Sequence, residues 1–138
     1  MLTLKRLLLA ASMCCLVATA NAAPMDDALA AHQRGDYAQA LNILRPLAAQ
    51  GNVRAQFSIG AMYDSGHGVT QDYQEALKWY RLAANQGNAS AQYNIGASLY
   101  YAEGVTQSYQ EALKWSRLAA AKGAEAQYNI GVFSPTEY

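Results

Sequence analysis

The pattern of apolar and polar residues in this chain is repeated at an offset of 36 residues. Residues 69–87 and 105–123 are identical at 15 of 19 positions. In the first copy, apolar residues recur at the spacing of one helix face, at Tyr73, Ala76, Leu77, Tyr80 and Ala83. Polar residues fill the opposite stripe, at Gln74, Lys78, Arg81 and Asn85.

A repeat period of 36 residues indicates a helical solenoid, in which each repeat covers the apolar face of the next. The pattern favours binding over catalysis.

Capping residues mark both ends of this helix, which we name helix B of the repeat. Asp72 is a candidate N-cap with Glu75 three residues later, and Gly87 stands where a left-handed C-terminal residue is expected. Ser108, Glu111 and Gly123 repeat the arrangement in the second copy. We therefore expect two equivalent helices of about 14 residues.

A second motif predicts the preceding helix, helix A. Residues 55–60 read AQFSIG, and the motif returns as AQYNIG at 91–96 and again at 126–131. Glycine inside a helix costs about 1 kcal/mol relative to alanine. Gly60, Gly96 and Gly131 are therefore best explained by close approach of the two helices of a pair.

The chain outside the two copies reads as partial repeats. Residues 36–50 align with helix B, although Pro46 should kink that helix or end it early. A short helix over about 25–34 would be its partner. Helix A of a further repeat starts at residue 124, with Pro135 barring its continuation. The predicted divisions are a signal at 1–23, a divergent pair at 24–51, repeats at 52–87 and 88–123, and an incomplete repeat at 124–138.

The N-terminal segment has the features of an export signal. Lys5 and Arg6 precede an apolar run over 7–17, and Ala20, Asn21 and Ala22 fit the small-x-small pattern of a cleavage site. The run is shorter than the about 20 residues that span a bilayer. We expect cleavage after residue 22 or 23 and a periplasmic or secreted location. A retained membrane anchor is the alternative.

Removal of that signal changes the composition. Both cysteines, Cys14 and Cys15, lie inside it, so disulfides are not expected. From residue 24 onward the chain has eight Lys and Arg against ten Asp and Glu, a net charge near −2. This balance does not favour nucleic acid or anionic lipid as a partner, nor membrane insertion after cleavage.

These residues resemble the Sel-one-like repeat family, a branch of the tetratricopeptide-type helical solenoids. The shared pattern is A-x-x-x-[LI]-G-x-x-Y, then G-x-G-V, then a polar residue, Ala, a Trp-Tyr pair and Ala-Ala before Gly. The first copy matches it at Ala55, Ile59, Gly60, Tyr63, Gly66, Gly68, Val69, Asp72, Ala76, Trp79, Tyr80, Ala83, Ala84 and Gly87. The second copy departs from it at Leu99, Ala102 and Ser116.

The resemblance implies an all-α, right-handed α-α solenoid of helix pairs that acts as a non-catalytic adaptor for a protein or peptide partner. It implies no cofactor. One cysteine-rich branch of the family is associated with penicillin binding and hydrolysis, so a hydrolase of the β-lactamase-like type is the alternative. The paired cysteines of that branch are absent here.

If the packing resembles that of tetratricopeptide repeats, helices A line a concave face. The candidate partner-binding residues on that face are Arg54, Phe57, Asp64, Ser90, Tyr93, Tyr100, Tyr101 and Tyr128. Tyrosine recurs at binding surfaces because it offers contact area with little rotamer entropy to lose. Tyr100 and Tyr101 are the better candidates, because the first copy has other residue types at both positions. The alternative is that Phe57, Tyr93 and Tyr128 fill space between repeats.

Other residues favour plainer interpretations. Trp79 and Trp115 are expected in the core, and His67, between two glycines, is expected to be an ordinary loop histidine rather than a metal ligand or general base. A solvated stripe paired in part with Glu75 and Glu111 is expected at Lys78, Arg81, Lys114 and Arg117. The incomplete end exposes apolar residues that favour a weak homodimer, at Tyr128, Ile130, Val132 and Phe133.

Overall fold

The computed structural model describes residues 23–101 and 108–123, and these form six helices and no strand. The first, α1, covers 23–33. The others are α2 (Tyr37–Ala49), α3 (Val53–Ser65), α4 (Tyr73–Asn85), α5 (Ala89–Tyr101) and α6 (Tyr109–Ala120). Each helix from α2 to α6 packs on the next along the chain, with the most extensive contact between α3 and α4 and between α5 and α6. The predicted all-α repeat fold is confirmed, and the expected helix starting at residue 124 lies outside the described residues.

The N-caps of the B helices form as predicted. Oδ1 of Asp72 accepts from the backbone N–H groups of Gln74 at 2.9 Å and Glu75 at 3.0 Å. Oγ of Ser108 accepts from the N–H of Glu111. The backbone N–H groups of the two caps donate instead to helix A, from Asp72 to the carbonyl of Tyr63 and from Ser108 to that of Leu99. Each cap therefore also fastens the start of helix B to its partner.

In the first copy, a glycine in the left-handed region ends helix B and reverses the chain. The prediction that Gly123 repeats this ending is wrong, because Gly123 does not have a positive φ. Gly87 has a φ of 91°, and its N–H donates to the carbonyl of Ala84 while that of Asn88 donates to Ala83. This is a Schellman ending, in which only glycine takes the positive φ without strain. Oδ1 of Asn88 then caps α5 by accepting from the N–H of Ala91 at 2.8 Å. Residues 51 and 52 repeat the arrangement between α2 and α3.

A buried glutamine braces each of these reversals. Nε2 of Gln56 donates to the carbonyl of Ala48 at 3.2 Å, and Nε2 of Gln92 donates to that of Ala84 at 3.1 Å. In the first case a further glutamine, Gln86, donates to Oε1 of Gln56 at 2.8 Å. Each of these carbonyl groups already accepts from the N–H of the glycine at the reversal, so the glutamine is a second donor to it.

The prediction that Pro46 would kink or shorten its helix is wrong as to length, because α2 continues past it to Ala49. Proline removes the hydrogen bond to the carbonyl of Asn42, four residues earlier. Asn42 is exposed, so water can take that bond, while Leu44 and Leu47 are buried on the opposite face. Burial of these leucines holds the last turn in helical form.

The core consists of two clusters joined through Tyr63, which packs against both. The first contains residues of α1, α2 and α3, and the second contains residues of α4, α5 and α6. Trp115 is buried in the second cluster and Trp79 is half-buried against the first, as expected for core residues. The solenoid thus has a continuous apolar interior built largely from alanine, isoleucine and leucine.

The helix-A glycines allow the close approach that the sequence predicts. A Cβ atom on Gly60 would lie 2.7 Å from Cδ1 of Tyr80, and one on Gly96 would lie 2.5 Å from Oγ of Ser116. Both distances are far below van der Waals contact. The prediction is confirmed for these two positions, and Gly131 lies outside the described residues.

Candidate functional site

A groove of about 310 Å³ opens between α1 and α3. Its apolar surface comes mainly from the exposed Leu29 and the half-buried ring of Phe57, and the buried Met25, Ala28 and Leu44 complete the apolar lining. Helical spacing places Phe57 one turn from Ala61 on the same face of α3. One wall of the groove is therefore formed by a face of α3, the helix A of the first repeat.

Two of the predicted partner-binding residues, Arg54 and Phe57, line this groove. Arg54 is exposed and forms no ion pair with any residue that the structure describes. The Phe57 ring also packs on Tyr80, with the ring centroids 5.6 Å apart. Phe57 thus fills space between helices and contributes to the groove surface at once.

Asp64, a third predicted residue, is engaged within its own repeat. Its Oδ2 accepts from the hydroxyl of Tyr80 at 3.2 Å, and its carbonyl accepts from Nε2 of Gln71 at 2.7 Å. Burial raises the pKa of Tyr80 far above its usual range, and the negative charge of Asp64 raises it further. This aspartate therefore binds helix A to helix B. The sequence did not indicate the contact, because Tyr80 is 16 residues away on the inward face of α4.

The second copy carries a cluster of tyrosines where the first has Asp64 and Ser65. The Tyr100 ring lies edge-on to that of Tyr101, with centroids 5.0 Å apart, and to that of Tyr109 at 5.4 Å. Tyr101 is 62% exposed and Tyr109 is 58% exposed. Sequence comparison of the copies missed Tyr109 because the first copy also has tyrosine at that position, Tyr73.

The remaining candidates are more scattered. Ser90 is exposed and Tyr93 is half-buried, both on α5. Tyr128 lies outside the described residues, as do the apolar residues proposed for a dimer contact. The structure thus groups Arg54 with Phe57 in the groove, and Tyr100 with Tyr101 at the end of α5.

His67 lies in the loop between α3 and α4, as expected, but it is engaged by neighbouring rings. Its half-buried ring stacks on that of Tyr37 with centroids 4.5 Å apart and an angle of 5° between the planes. The ring of His32 lies 5.6 Å from that of His67 and also lines the groove. Both histidines of the chain are therefore brought together on the first helix pair.

The charged stripe on the B helices is only partly solvated. Lys78 pairs with Glu75 as expected, whereas Arg81 reaches the next repeat and its Nη2 lies 2.7 Å from Oε1 of Glu111. That carboxylate also accepts from the indole N–H of Trp115 at 3.3 Å. The Arg81 contact corrects the prediction of a simple surface stripe, since it links two repeats.

Neither a metal site nor a membrane-spanning helix is found among the described residues. Nowhere in 23–101 or 108–123 do three His, Cys, Asp or Glu side chains come together as a metal site would require. Over the same ranges, no helix has the length and apolar character needed to cross a membrane.

Comparison with known proteins identifies the repeat. The Sel1 repeat model matches residues 53–88 and 89–123. The fold is similar to the Sel1 repeat protein from Oxalobacter formigenes, with 37% identity and a TM-score of 0.74 over 78% of this chain and 45% of that one. It is also similar to c5321, a protective antigen in uropathogenic Escherichia coli strains displaying an SLR fold, with 34% identity and a TM-score of 0.72.

That second match covers 77% of this chain and 24% of the other, so this chain spans less than half of either related structure. A search of curated proteins gave no match. The repeat matches nevertheless cover about half of the chain, and they coincide with the helix pairs α3–α4 and α5–α6. The chain belongs to the Sel1 repeat family.

Proposed function

We propose that this protein is an exported, non-catalytic scaffold that binds a protein or peptide partner through the face formed by its A helices. The observation that carries the proposal is the groove between α1 and α3, which is apolar inside and has Arg54 at its surface. Specific contacts between proteins combine an apolar centre with a polar rim. The groove has both, on the face that the repeat marks as helix A.

The repeat architecture supports a binding role for a physical reason. Stacked helix pairs give extended surfaces whose residues can change without disturbing the apolar interior. Export rests on the N-terminal basic and apolar segment, and a periplasmic or extracellular location follows from it. The related E. coli protein is a protective antigen, which is compatible with an exported location.

A photo-crosslinking experiment in the native cell tests the proposal. A photoreactive amino acid replaces Ser58, which lines the groove, or Asn42, which is exposed on α2. We expect residue 58 to give a defined crosslinked protein that mass spectrometry identifies, and residue 42 not to give it. In the protein with the photoreactive residue at 58, the additional substitution Ala61→Arg places a large side chain in the groove and should abolish the crosslink.

The matched control is Ala49→Arg, which adds the same side chain at an exposed position of α2. Circular dichroism verifies that both arginine variants remain folded. The proposal fails if residue 58 captures nothing, or if the same crosslink persists at full yield in a folded Ala61→Arg protein.

A further inference from the structure

The polar groups of the groove between α1 and α3 can all donate to an acceptor in the bound partner, and the guanidinium group of Arg54 can only donate. Arg54 contributes a guanidinium group, and Ser58, Asn88 and His32 contribute a hydroxyl, an amide and an imidazole. Asn88 uses its Oδ1 to cap α5, which leaves its amide N–H groups as donors. None of the groove-lining residues is aspartate or glutamate.

Arg54 forms no ion pair within the described part of the chain. The ion pairs there involve Glu75 and Glu111, neither of which lines the groove. Asp26 and Asp27 are exposed on α1 but are not among the lining residues. A carboxylate brought by a partner would form a charge-assisted hydrogen bond with the guanidinium, which is stronger than a neutral one.

The size and lining of the groove limit what accompanies that carboxylate. A volume of about 310 Å³ is at the lower end for ligand sites, which suits one or two large side chains rather than a folded domain. The exposed Leu29 and the half-buried Phe57 present apolar surface to the occupant. An aliphatic or aromatic side chain in contact with them would be removed from water.

We infer that the groove recognises a partner segment in which a large apolar side chain stands next to a carboxylate. The inference rests on the proposed function and specifies the chemistry of the partner. Arg54 is the residue that selects the carboxylate. Its counterpart in the second copy is Ser90, so this selection belongs to the first repeat alone.

A random peptide library selected on the purified protein provides the probe. We expect the enriched peptides to share an apolar residue within two positions of aspartate or glutamate. They should bind the Ala49→Arg protein but not the Ala61→Arg protein. The strongest peptide is then synthesised with a dye, in its acidic form and with the carboxylate changed to the amide. Fluorescence anisotropy should show about tenfold weaker binding of the amide form, the size expected for one charge-assisted hydrogen bond.

A double-mutant cycle assigns that loss to Arg54. In Arg54→Gln the acidic and amide peptides should bind equally, whereas Arg117→Gln, which removes an exposed arginine on α6, should keep the tenfold difference. Equal ratios in both variants would overturn the role of Arg54. Groove-dependent peptides without a carboxylate would overturn the inference and leave the proposed function standing. The absence of any groove-dependent peptide would count against both.

Discussion

Lys122 occupies the place that Gln86 has in the preceding repeat, and the difference leaves a buried acceptor without a donor. At the first reversal, Nε2 of Gln86 donates to Oε1 of Gln56 at 2.8 Å and to the carbonyl of Gly51 at 3.1 Å. At the second, Nζ of Lys122 donates to the carbonyl of Gly87. Among the described residues, nothing donates to Oε1 of the buried Gln92.

We predict that Lys122→Gln stabilises the protein. The new amide can reproduce both bonds of the first reversal, and a net hydrogen bond in a protein contributes about 1 kcal/mol. Residue 122 lies after the end of α6, so the exchange changes no helix propensity, and the lost ammonium bond is at an exposed residue, so little is subtracted. With a urea m-value of about 2 kcal/mol/M, the unfolding midpoint should rise by about 0.5 M.

The reverse exchange is the complementary test. Gln86→Lys removes the donor from Oε1 of Gln56, whose side chain is buried. An orphaned buried acceptor costs about 1 to 3 kcal/mol, so we expect the midpoint to fall by roughly 0.5 M or more. Equilibrium urea unfolding followed by far-ultraviolet circular dichroism measures both variants.

A third variant separates hydrogen bonding from charge. Lys122→Met removes the ammonium group and supplies no donor to Gln92. Its midpoint should be equal to or below that of the unmodified protein. The reasoning is refuted if Lys122→Gln and Lys122→Met change the midpoint equally, or if Gln86→Lys leaves it unchanged.

Three further predictions concern packing, ionisation and catalysis. Gly60→Ala should lower the free energy of unfolding by about 2 kcal/mol in urea unfolding, since its Cβ would lie 2.7 Å from the fully buried Tyr80 ring. Gly123→Ala, with open space around the new Cβ, should change it little. Because burial and Asp64 raise the pKa of Tyr80 while an unfolded tyrosine ionises near pH 10, stability should fall as pH rises above about 10, and Tyr80→Phe should make that fall about 1 kcal/mol smaller at pH 11. Nitrocefin should not be hydrolysed above the buffer rate, and turnover that disappears in His67→Ala would contradict the non-catalytic proposal.

Much of the helical framework follows from local sequence. The caps at Asp72 and Ser108 and the close approach at Gly60 depend on residues within one repeat, so a single copy is enough to predict them. The two-residue reversal at Gly87 is equally local. Periodicity and capping carry this information because they act over distances of a few residues.

The groove surface and the histidine pair depend on contacts between repeats. The connections between the helices of those repeats differ in length. The connection from α1 to α2 spans residues 34–36, whereas that from α3 to α4 spans 66–72. The longer connection folds back on the preceding pair, so closely that a Cβ on Gly68 would lie 2.7 Å from that of Tyr37. This fold-back stacks His67 on Tyr37 beside His32. A 36-residue alignment cannot show the contact, because the two connections have no common register.

The differences between the two copies separate into coupled and independent changes. Asp64 and Tyr80 bond to each other in the first copy, and their counterparts are Tyr100 and Ser116. Both members of the contact change together, so the substitution at Tyr100 reflects repacking between helices as well as surface variation.

The change from Ser65 to Tyr101 is of another kind. The Ser65 hydroxyl donates to the carbonyl of Ala61 within its own helix, while Tyr101 is 62% exposed. The change from Arg54 in the first copy to Ser90 in the second also lies at an exposed position. It removes no ion pair among the described residues. Positions that vary without a packing partner are those where a binding surface can diverge at little cost to stability. By this argument Arg54 carries the strongest expectation of partner selectivity and Asp64 the weakest. The exposed Tyr101, whose ring packs on that of Tyr100, stands between them.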